Sequence, residues 1–518
     1  MEKMYSLDFT QIRKDYEYFR EATEQFCRSE MDTRAYKAIS GGFGSYAQRG
    51  GQKHMLRLRF PGGRITKAQL GFIVQAIEKY NIRRLHLTTC QTIQLHDLDG
   101  DIVCPLAVEA LDYHIVCRGA GGDYPRNVMA PPLSGAEPGE YFDVLPYAMA
   151  ASRFLLEKLD GPKLPRKLKV GFSSSPENLT HATFRDLGFA ARADRRFDVY
   201  SAGGLGNGPK LGVLVAEAVA PGDILYYIQA MYDTFLAYGN YENRARARSR
   251  FMQDTLGGPE AYRAAFRQML EKVLKSGRSL KLSIAPPEVR KEGNGTAPVN
   301  CRIISQKQPG LYAVACHPVG GCPDPELFVR LYDATLPMEA VELRLAPDQS
   351  FYIINCNASE AARLLELTKH CARTAFSSSV ACIGSGICQH GLRDSQAMLK
   401  ALVQMEQEMN FDDGTLPKIY ISGCPSSCGT HQSALIGLRG AVKNVGNERK
   451  SAYQIFIGGS ALQGQECFGK PSGILTKEQV AGFFRELGKM VQESGLSFEQ
   501  WHQTHPAALE TLVSQWSK

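Results

Sequence analysis

Two pairs of cysteines carry the strongest chemical signal in the chain: Cys382-Ile-Gly-Ser-Gly-Ile-Cys388 and Cys424-Pro-Ser-Ser-Cys428. Thiolates grouped in fours bind either zinc or an iron–sulfur cluster. Structural zinc sites favour closer pairs than Cys382 and Cys388, so the spacing Cys-x5-Cys … Cys-x3-Cys favours a cluster of four irons. Each pair reads as the end of a strand followed by glycine or polar turn residues. The competing reading is four unrelated buried thiols, since free cysteine often packs as a small apolar residue. Cys316 and Cys322 share the wider spacing, but no Cys-x3-Cys follows them closely, and they read as part of a strand and turn.

A second set is cationic: Arg57, Arg126, Lys167 and Lys169. Arg57 lies on an alternating stretch, and Arg126 in the turn-rich Gly-Gly-Asp-Tyr-Pro-Arg-Asn-Val. Lys167 and Lys169 differ by two, so on a strand they share a face. Two ammoniums on one face repel unless an anion neutralises them. A solvated basic edge strand explains the pair equally well. Spacing alone leaves both readings open.

Elements must position these groups. Residues 1–45 read as a charged, mostly helical extension. His54 to Gly63 is an alternating strand closed by Pro-Gly, followed by a helix over Lys67–Tyr80 and a strand from Arg84 to His96. This block recurs: Leu311 to Gly321 echoes the Pro-Gly strand, and Leu343 to Ile353 echoes Leu85 to Leu95, with Gln349 opposite Gln91. Leu164–Gly171 matches Leu416–Gly423, and Phe197–Gly204 matches Tyr453–Gly459. On that register the first copy carries Arg166-Lys167-Leu-Lys169 where the second carries the cysteines.

The expected architecture is α/β (α+β), a duplicated module with pseudo-twofold symmetry. Ferredoxin-like half-domains are expected at 46–118 and 300–370, and larger α/β domains at 119–299 and 371–518, around a central ligand. The segment near Gly293-Asn-Gly-Thr296 reads as the linker. Length and composition suit a multidomain globular protein, with 518 residues, 44% hydrophobic and 22% charged. No apolar run has membrane-spanning length. The charged start and 14 cysteines predict a reduced, cytoplasmic setting. A net charge of +7 permits an acidic protein partner, and no basic–aromatic pattern points to nucleic acid.

Phrases in order along most of the chain resemble the sirohaem sulfite/nitrite reductase family: Tyr46-Ala-Gln-Arg49, Leu-Arg57-Leu-Arg59-Phe-Pro-Gly-Gly, Tyr-Pro-Arg126-Asn-Val, Leu-Pro-Arg-Lys167-Leu-Lys169 and the four cysteines. The resemblance implies a [4Fe-4S] cluster on Cys382, Cys388, Cys424 and Cys428, with Cys428 bridging to sirohaem iron. It implies a substrate anion held by Arg57, Arg126, Lys167 and Lys169, and sirohaem carboxylates met by Thr88, Gln94, His96 and Gln349. The implied reaction is six-electron reduction of sulfite to sulfide or nitrite to ammonia, with electrons from a ferredoxin or another low-potential donor protein.

Three positions depart from the family pattern: Cys90 and His86 where Arg is usual, and Ser426 for Asn. Arg59, Arg49 or Arg118 is expected to compensate for the missing cation. Lys167-x-Lys169 resembles sulfite-type members, which favours sulfite, whereas Thr88-Thr89-Cys90-Gln91 resembles the nitrite type. A precorrin-type oxygenase relative and a non-enzymatic iron–sulfur carrier are the alternatives.

Overall fold

The protein is described by a computed structural model covering residues 9–285 and 287–518. The first eight residues of the expected helical extension lie outside the described residues. The remainder of that extension forms helices Thr10–Cys27 and Thr33–Ser40. Two compact units emerge, and they do not follow the two sequence copies. One comprises residues 1–204, 210–315 and 323–369; the other comprises 205–209, 316–322 and 370–518.

In the first unit, β1 (Ser45–Ala47) and β2 (His54–Arg59) lead through a Pro61–Gly63 turn to β3 (Arg64–Ile65) and helix Lys67–Lys79. Thr66 and Gln69 form a reciprocal capping box that starts this helix where the sequence predicts it. The expected single strand from Arg84 to His96 is instead a hairpin, β4 (Leu85–Leu87) and β5 (Thr92–Leu98). Gln91 at its tip has φ 54°, a left-handed conformation that ends one strand and reverses the chain. The sheet order is β1-β2-β5-β4.

An α/β layer follows: β6 (Val170–Ser173), β7 (Leu187–Ala191), β8 (Phe197–Ser201) and β9 (Val213–Val219). β6 and β7 are parallel and buried throughout, as paired strands covered on both faces must be. Phe172 and Phe189 stack across them with ring centroids 4.7 Å apart. Lys167 and Lys169 precede β6 and flank Leu168, whose bridge to Pro125 aligns the Arg126 segment beside them.

The second half-domain comprises β10 (Ile303–Ser305), β11 (Tyr312–Cys316), β12 (Glu342–Leu345) and β13 (Phe351–Cys356), ordered β10-β11-β13-β12-β3. Here too the expected single strand from Leu343 to Ile353 is a hairpin, with Gln349 at φ 68°. β3, from the first copy, completes this sheet, and Glu342 lies between Arg64 (2.8 Å) and Arg344. Gly63 must be glycine: a Cβ there would stand 2.4 Å from Leu345 O. Cys316 ends β11 and Cys322 follows the Val319–Gly321 turn, as the strand-and-turn reading requires.

The second unit holds β14 (Val380–Ala381), β15 (Tyr420–Ser422), β16 (Ile436–Val445), β17 (Glu448–Ile457) and β18 (Lys470–Thr476), paired in that order. Its parallel-then-antiparallel pattern repeats that of β6–β9, but the register differs from the sequence match. Gly171 pairs with Gly188 as Tyr420 pairs with Gly437. At Gly188 and Gly437 a Cβ would lie 1.7 Å and 1.9 Å from the carbonyl oxygens of Ala182 and His431. Cys424-Pro425-Ser426-Ser427-Cys428 is therefore equivalent in the repeat to Ser175-Pro176-Glu177-Asn178-Leu179 and not to the lysine phrase, and Lys169 corresponds to Lys418. The sequence match aligned the residues leading into the two strands; close backbone packing at the paired glycines fixes the true register.

Candidate active site

The first unit gathers the cations. Arg57, from β2, donates to Ala120 O (2.7 Å), and Arg126 donates to the same oxygen (3.0 Å) and to Gly122 O (2.7 Å). Gly122 N donates to Tyr46 Oη (2.9 Å). Burial alone would raise the Tyr46 phenol, but Arg126 and Arg57 outweigh it and hold it below its ordinary value. Burial in turn lowers Arg126 to about 10.

Lys167 and Lys169 meet the tip of the β4–β5 hairpin at Cys90. Burial would push this thiol up, yet Lys169, Arg185 and Lys167 overcome it and hold it at about 6, in the range of a thiolate at neutral pH. Lys169 hydrogen-bonds to Cys90, and desolvation lowers its ammonium. The Lys169 amide donates to Asp186 Oδ2 (2.9 Å), a carboxylate also engaged by Arg248 (3.1 Å) and Ser249. Asp186 is thus anchored by its own partners while Lys169 faces Cys90. Arg185, 6% exposed, donates through Nε to Thr180 O (2.7 Å), and its Nη2 has no partner among the described residues. The sequence reading missed Arg185, Asp186 and Tyr46. Arg185 follows the short 310 turn Ala182–Phe184, and no periodicity marks it as facing the lysines.

Residues expected to meet a tetrapyrrole form a buried polar chain in this unit. His86 Nδ1 bonds Gln94 Oε1 (3.0 Å) and His86 Nε2 bonds Gln349 Nε2 (2.9 Å), joining the two half-domains. His96 Nδ1 bonds Gln48 Oε1 (3.0 Å), while its Nε2, deeply buried, has no partner among the described residues. Thr88 Oγ1 accepts from Cys90 N (3.3 Å) and pairs with Thr92 Oγ1 (2.7 Å). Arg59, 2% exposed, donates to Arg118 O (2.9 Å) and leaves Nε and Nη1 without partners; burial pulls it down to about 9. Such uncompensated buried donors are what a polycarboxylate macrocycle needs, so the residues fit sirohaem. Of the three candidate compensating arginines, Arg118 is tied to Asp15 (3.2 Å) and packed on Phe43 and Tyr124, and Arg49 is exposed. Arg59 alone of the three is a deeply buried cation with donors to spare.

The second unit positions the cysteines. Parallel pairing of Ala381 with Ile421 sets the two cysteine turns side by side. Cys382 Sγ accepts from Gly423 N (3.1 Å) and lies 3.1 Å from Ser395 Oγ, and burial holds its thiol up at about 12. The Cys428 charge acts on Cys382, and Cys388 N bonds Gly384 O (2.9 Å) to close its loop. Among the described residues no three His, Cys, Asp or Glu side chains stand at metal-ligand spacing. The donor set nonetheless suits an iron–sulfur cluster: four thiols on two turns, with the Gly423 N–H and the Ser395 hydroxyl at the Cys382 sulfur. Among the described residues no helix is long and apolar enough to cross a membrane.

Known proteins resemble this chain in sequence and in fold. Residues 121–274 and 374–481 match the nitrite and sulphite reductase 4Fe-4S domain, and residues 46–111 match the nitrite/sulfite reductase ferredoxin-like half domain. The ferredoxin–nitrite reductase of Synechococcus elongatus is 27% identical over 79% of this chain and 80% of its own length. The chloroplastic ferredoxin–nitrite reductase of Arabidopsis thaliana is 28% identical over 79% of this chain and 71% of its own. The assimilatory ferredoxin-dependent nitrite reductase of Haloferax mediterranei is 25% identical over 80% and 76%. Among solved structures, the Mycobacterium tuberculosis NirA protein shares the fold, with a TM-score of 0.79 and 23% identity over 95% of this chain and 94% of that one.

Proposed function

The chain belongs to the nitrite and sulphite reductase family, and from that premise we propose that it reduces nitrite to ammonia, with sulfite-to-sulfide reduction as the second reading. Members of this family are oxidoreductases that carry sirohaem and a [4Fe-4S] cluster. The observation that carries the proposal is the group of Arg57, Arg126, Lys167, Lys169 and Arg185, in which the nearby carboxylate, Asp186, is committed to Arg248 and Ser249. Preorganised cations out of bulk water hold a small oxyanion far better than water does.

Nitrite takes precedence for two reasons. The relatives compared above are named for nitrite. Lys169, part of the phrase that resembles sulfite-type members, hydrogen-bonds to Cys90, so part of its charge is already met in the resting site. The sulfite reading keeps one argument, that both Lys167 and Lys169 bear on the same point.

In this proposal Cys382, Cys388, Cys424 and Cys428 would hold the cluster. Thr88, Gln94, His96, Gln349, Arg59 and Arg49 would meet the macrocycle. When bound, the two groups would supply the electrons and the redox-active iron for reducing an anion. Arg57 and Arg126, fixed through Ala120 O and Gly122 O, orient the anion by its oxygens. Lys167 and Lys169 neutralise it and pass protons to oxygens that leave as water. A ferredoxin-type protein is the proposed donor, as in the names of the relatives. The test is steady-state turnover of anaerobically purified holoprotein with a reduced dye, nitrite and sulfite in parallel. A higher kcat/KM for nitrite is expected; a higher value for sulfite reverses the order of the readings, and no turnover with either rejects the reductase proposal.

A further inference from the structure

Cys90 is given no chemical step in that scheme, yet its backbone is held on both sides. Its carbonyl oxygen accepts from Asn127 Nδ2 (3.0 Å), and the same amide holds Gln91 O (3.0 Å) and Phe60 O (2.8 Å). Its amide is directed at Thr88 Oγ1 (3.3 Å). The side chain, half-buried, hydrogen-bonds to Lys169 and lies within the fields of Arg185, Lys167 and Arg126. Arg185 adds a buried guanidinium nitrogen without a partner among the described residues. Asp186 faces Arg248, Ser249 and the Lys169 amide, and burial, Arg185 and Lys169 keep His181 neutral.

We infer that Cys90 is the internal counter-anion of the cation cluster, and that an oxyanion entering the cluster drives it to take up a proton, leaving a thiol beside the substrate. This inference rests on the reading that the cluster binds an oxyanion. Before binding, the surrounding cations favour the thiolate. A second anion placed within a few ångströms disfavours it, by about 1–3 pKa units, which carries a group poised near 6 past neutrality. The proton comes from solvent and binds Sγ. On transfer to a substrate oxygen the S–H bond breaks, an O–H bond forms, and the electron pair stays on sulfur. No electrons leave the residue, and Lys169 again stabilises the thiolate. An arginine at this position could not cycle in this way, because it does not release its proton.

The experiment uses oxidised holoprotein without a donor, nitrite as the probe, and a weakly buffered solution near pH 7. Nitrite carries no proton there, so any uptake belongs to the protein. Wild type should take up roughly 0.4 to 0.9 proton per site on binding at pH 7, and Cys90→Ser and Cys90→Ala should take up none. In parallel, iodoacetate followed by peptide mass spectrometry should alkylate Cys90 at neutral pH, and nitrite should slow that reaction. Equal proton uptake in wild type and both variants overturns the inference, as does a Cys90 inert to iodoacetate at neutral pH. If wild type turns over nitrite but binds it without proton uptake, the inference falls and the reductase proposal stands. If nitrite is neither bound nor reduced, both fall.

Discussion

Gln91 and Gln349 occupy equivalent left-handed positions at the tips of two hairpins, and each sends its amide into the other half-domain. Gln91 Nε2 donates to Leu345 O (2.6 Å), and Gln349 Nε2 meets His86 Nε2 (2.9 Å). Gln91 also donates to Ala130 O (2.7 Å) and accepts from Ala130 N (3.1 Å). The two hairpins beside the proposed macrocycle residues are thereby fixed to one another from both sides.

Replacing Gln91 by Ala leaves the Ala130 and Leu345 groups buried without partners. A loss of about 1–3 kcal/mol for each such group is expected, seen as a lower denaturant midpoint. Gln91→Glu should be no better, since a carboxylate cannot donate to two carbonyl oxygens. A midpoint equal to that of wild type in both variants would show that the amide contributes nothing to joining the half-domains.

Arg126 donates to two carbonyl oxygens through different nitrogens. Arg126→Lys keeps the charge but loses this forked grip. The expected result is a fall in kcat/KM of roughly ten- to a hundredfold for nitrite and sulfite alike, with the visible cofactor spectrum unaltered. Retained activity would remove Arg126 from the anion site.

Metal analysis tests the proposed division of the cysteines into cluster ligands and others. Cys382→Ser and Cys424→Ser should each lose iron and acid-labile sulfide. Cys322→Ser, on the turn after β11, should retain both, since Cys322 Sγ contacts Gly320 O and Gln396 Oε1 (3.6 Å each) within a strand-and-turn segment. Loss of iron in Cys322→Ser with retention in Cys382→Ser would reverse the assignment.

Acid should destabilise the fold through its buried histidines. Burial holds His54 down at about 4, and His431 at about 3. Each is neutral when folded and binds a proton when unfolded below about pH 6.5, so this contribution is intact above that pH. It is lost as pH falls towards the folded values, by up to about 1.4 kcal/mol per pH unit for each histidine. His54 Nδ1 lies 3.2 Å from Tyr36 Oη, so His54→Gln keeps a polar group there while removing the titration. A flatter dependence of unfolding midpoint on pH between about 6.5 and 4 is expected for the variant; an unchanged slope would assign the acid sensitivity elsewhere.

Much was legible in the sequence because it was local. Helix Lys67–Lys79 follows from its apolar spacing and its Thr66–Gln69 cap, and the cysteine turns from thiols flanked by glycine and proline. The half-domain repeat was visible because the Pro-Gly turn and the paired glutamines keep their spacing in both copies. The family, with its cofactors, followed from short phrases in order.

Tertiary structure decided what local pattern could not encode. Left-handed Gln91 and Gln349 cut two apparent strands into hairpins, a conformation that glutamine seldom adopts and that long-range amide bonds stabilise. Close backbone approach at Gly188 and Gly437 set the register that moved the lysines away from the cysteine position. The character of Cys90 was the least visible of all. By type it is a small apolar residue, and only the convergence of Lys169, Arg185 and Lys167 from distant parts of the chain holds its thiol down at about 6, because Coulomb fields depend on distance in space and not along the sequence.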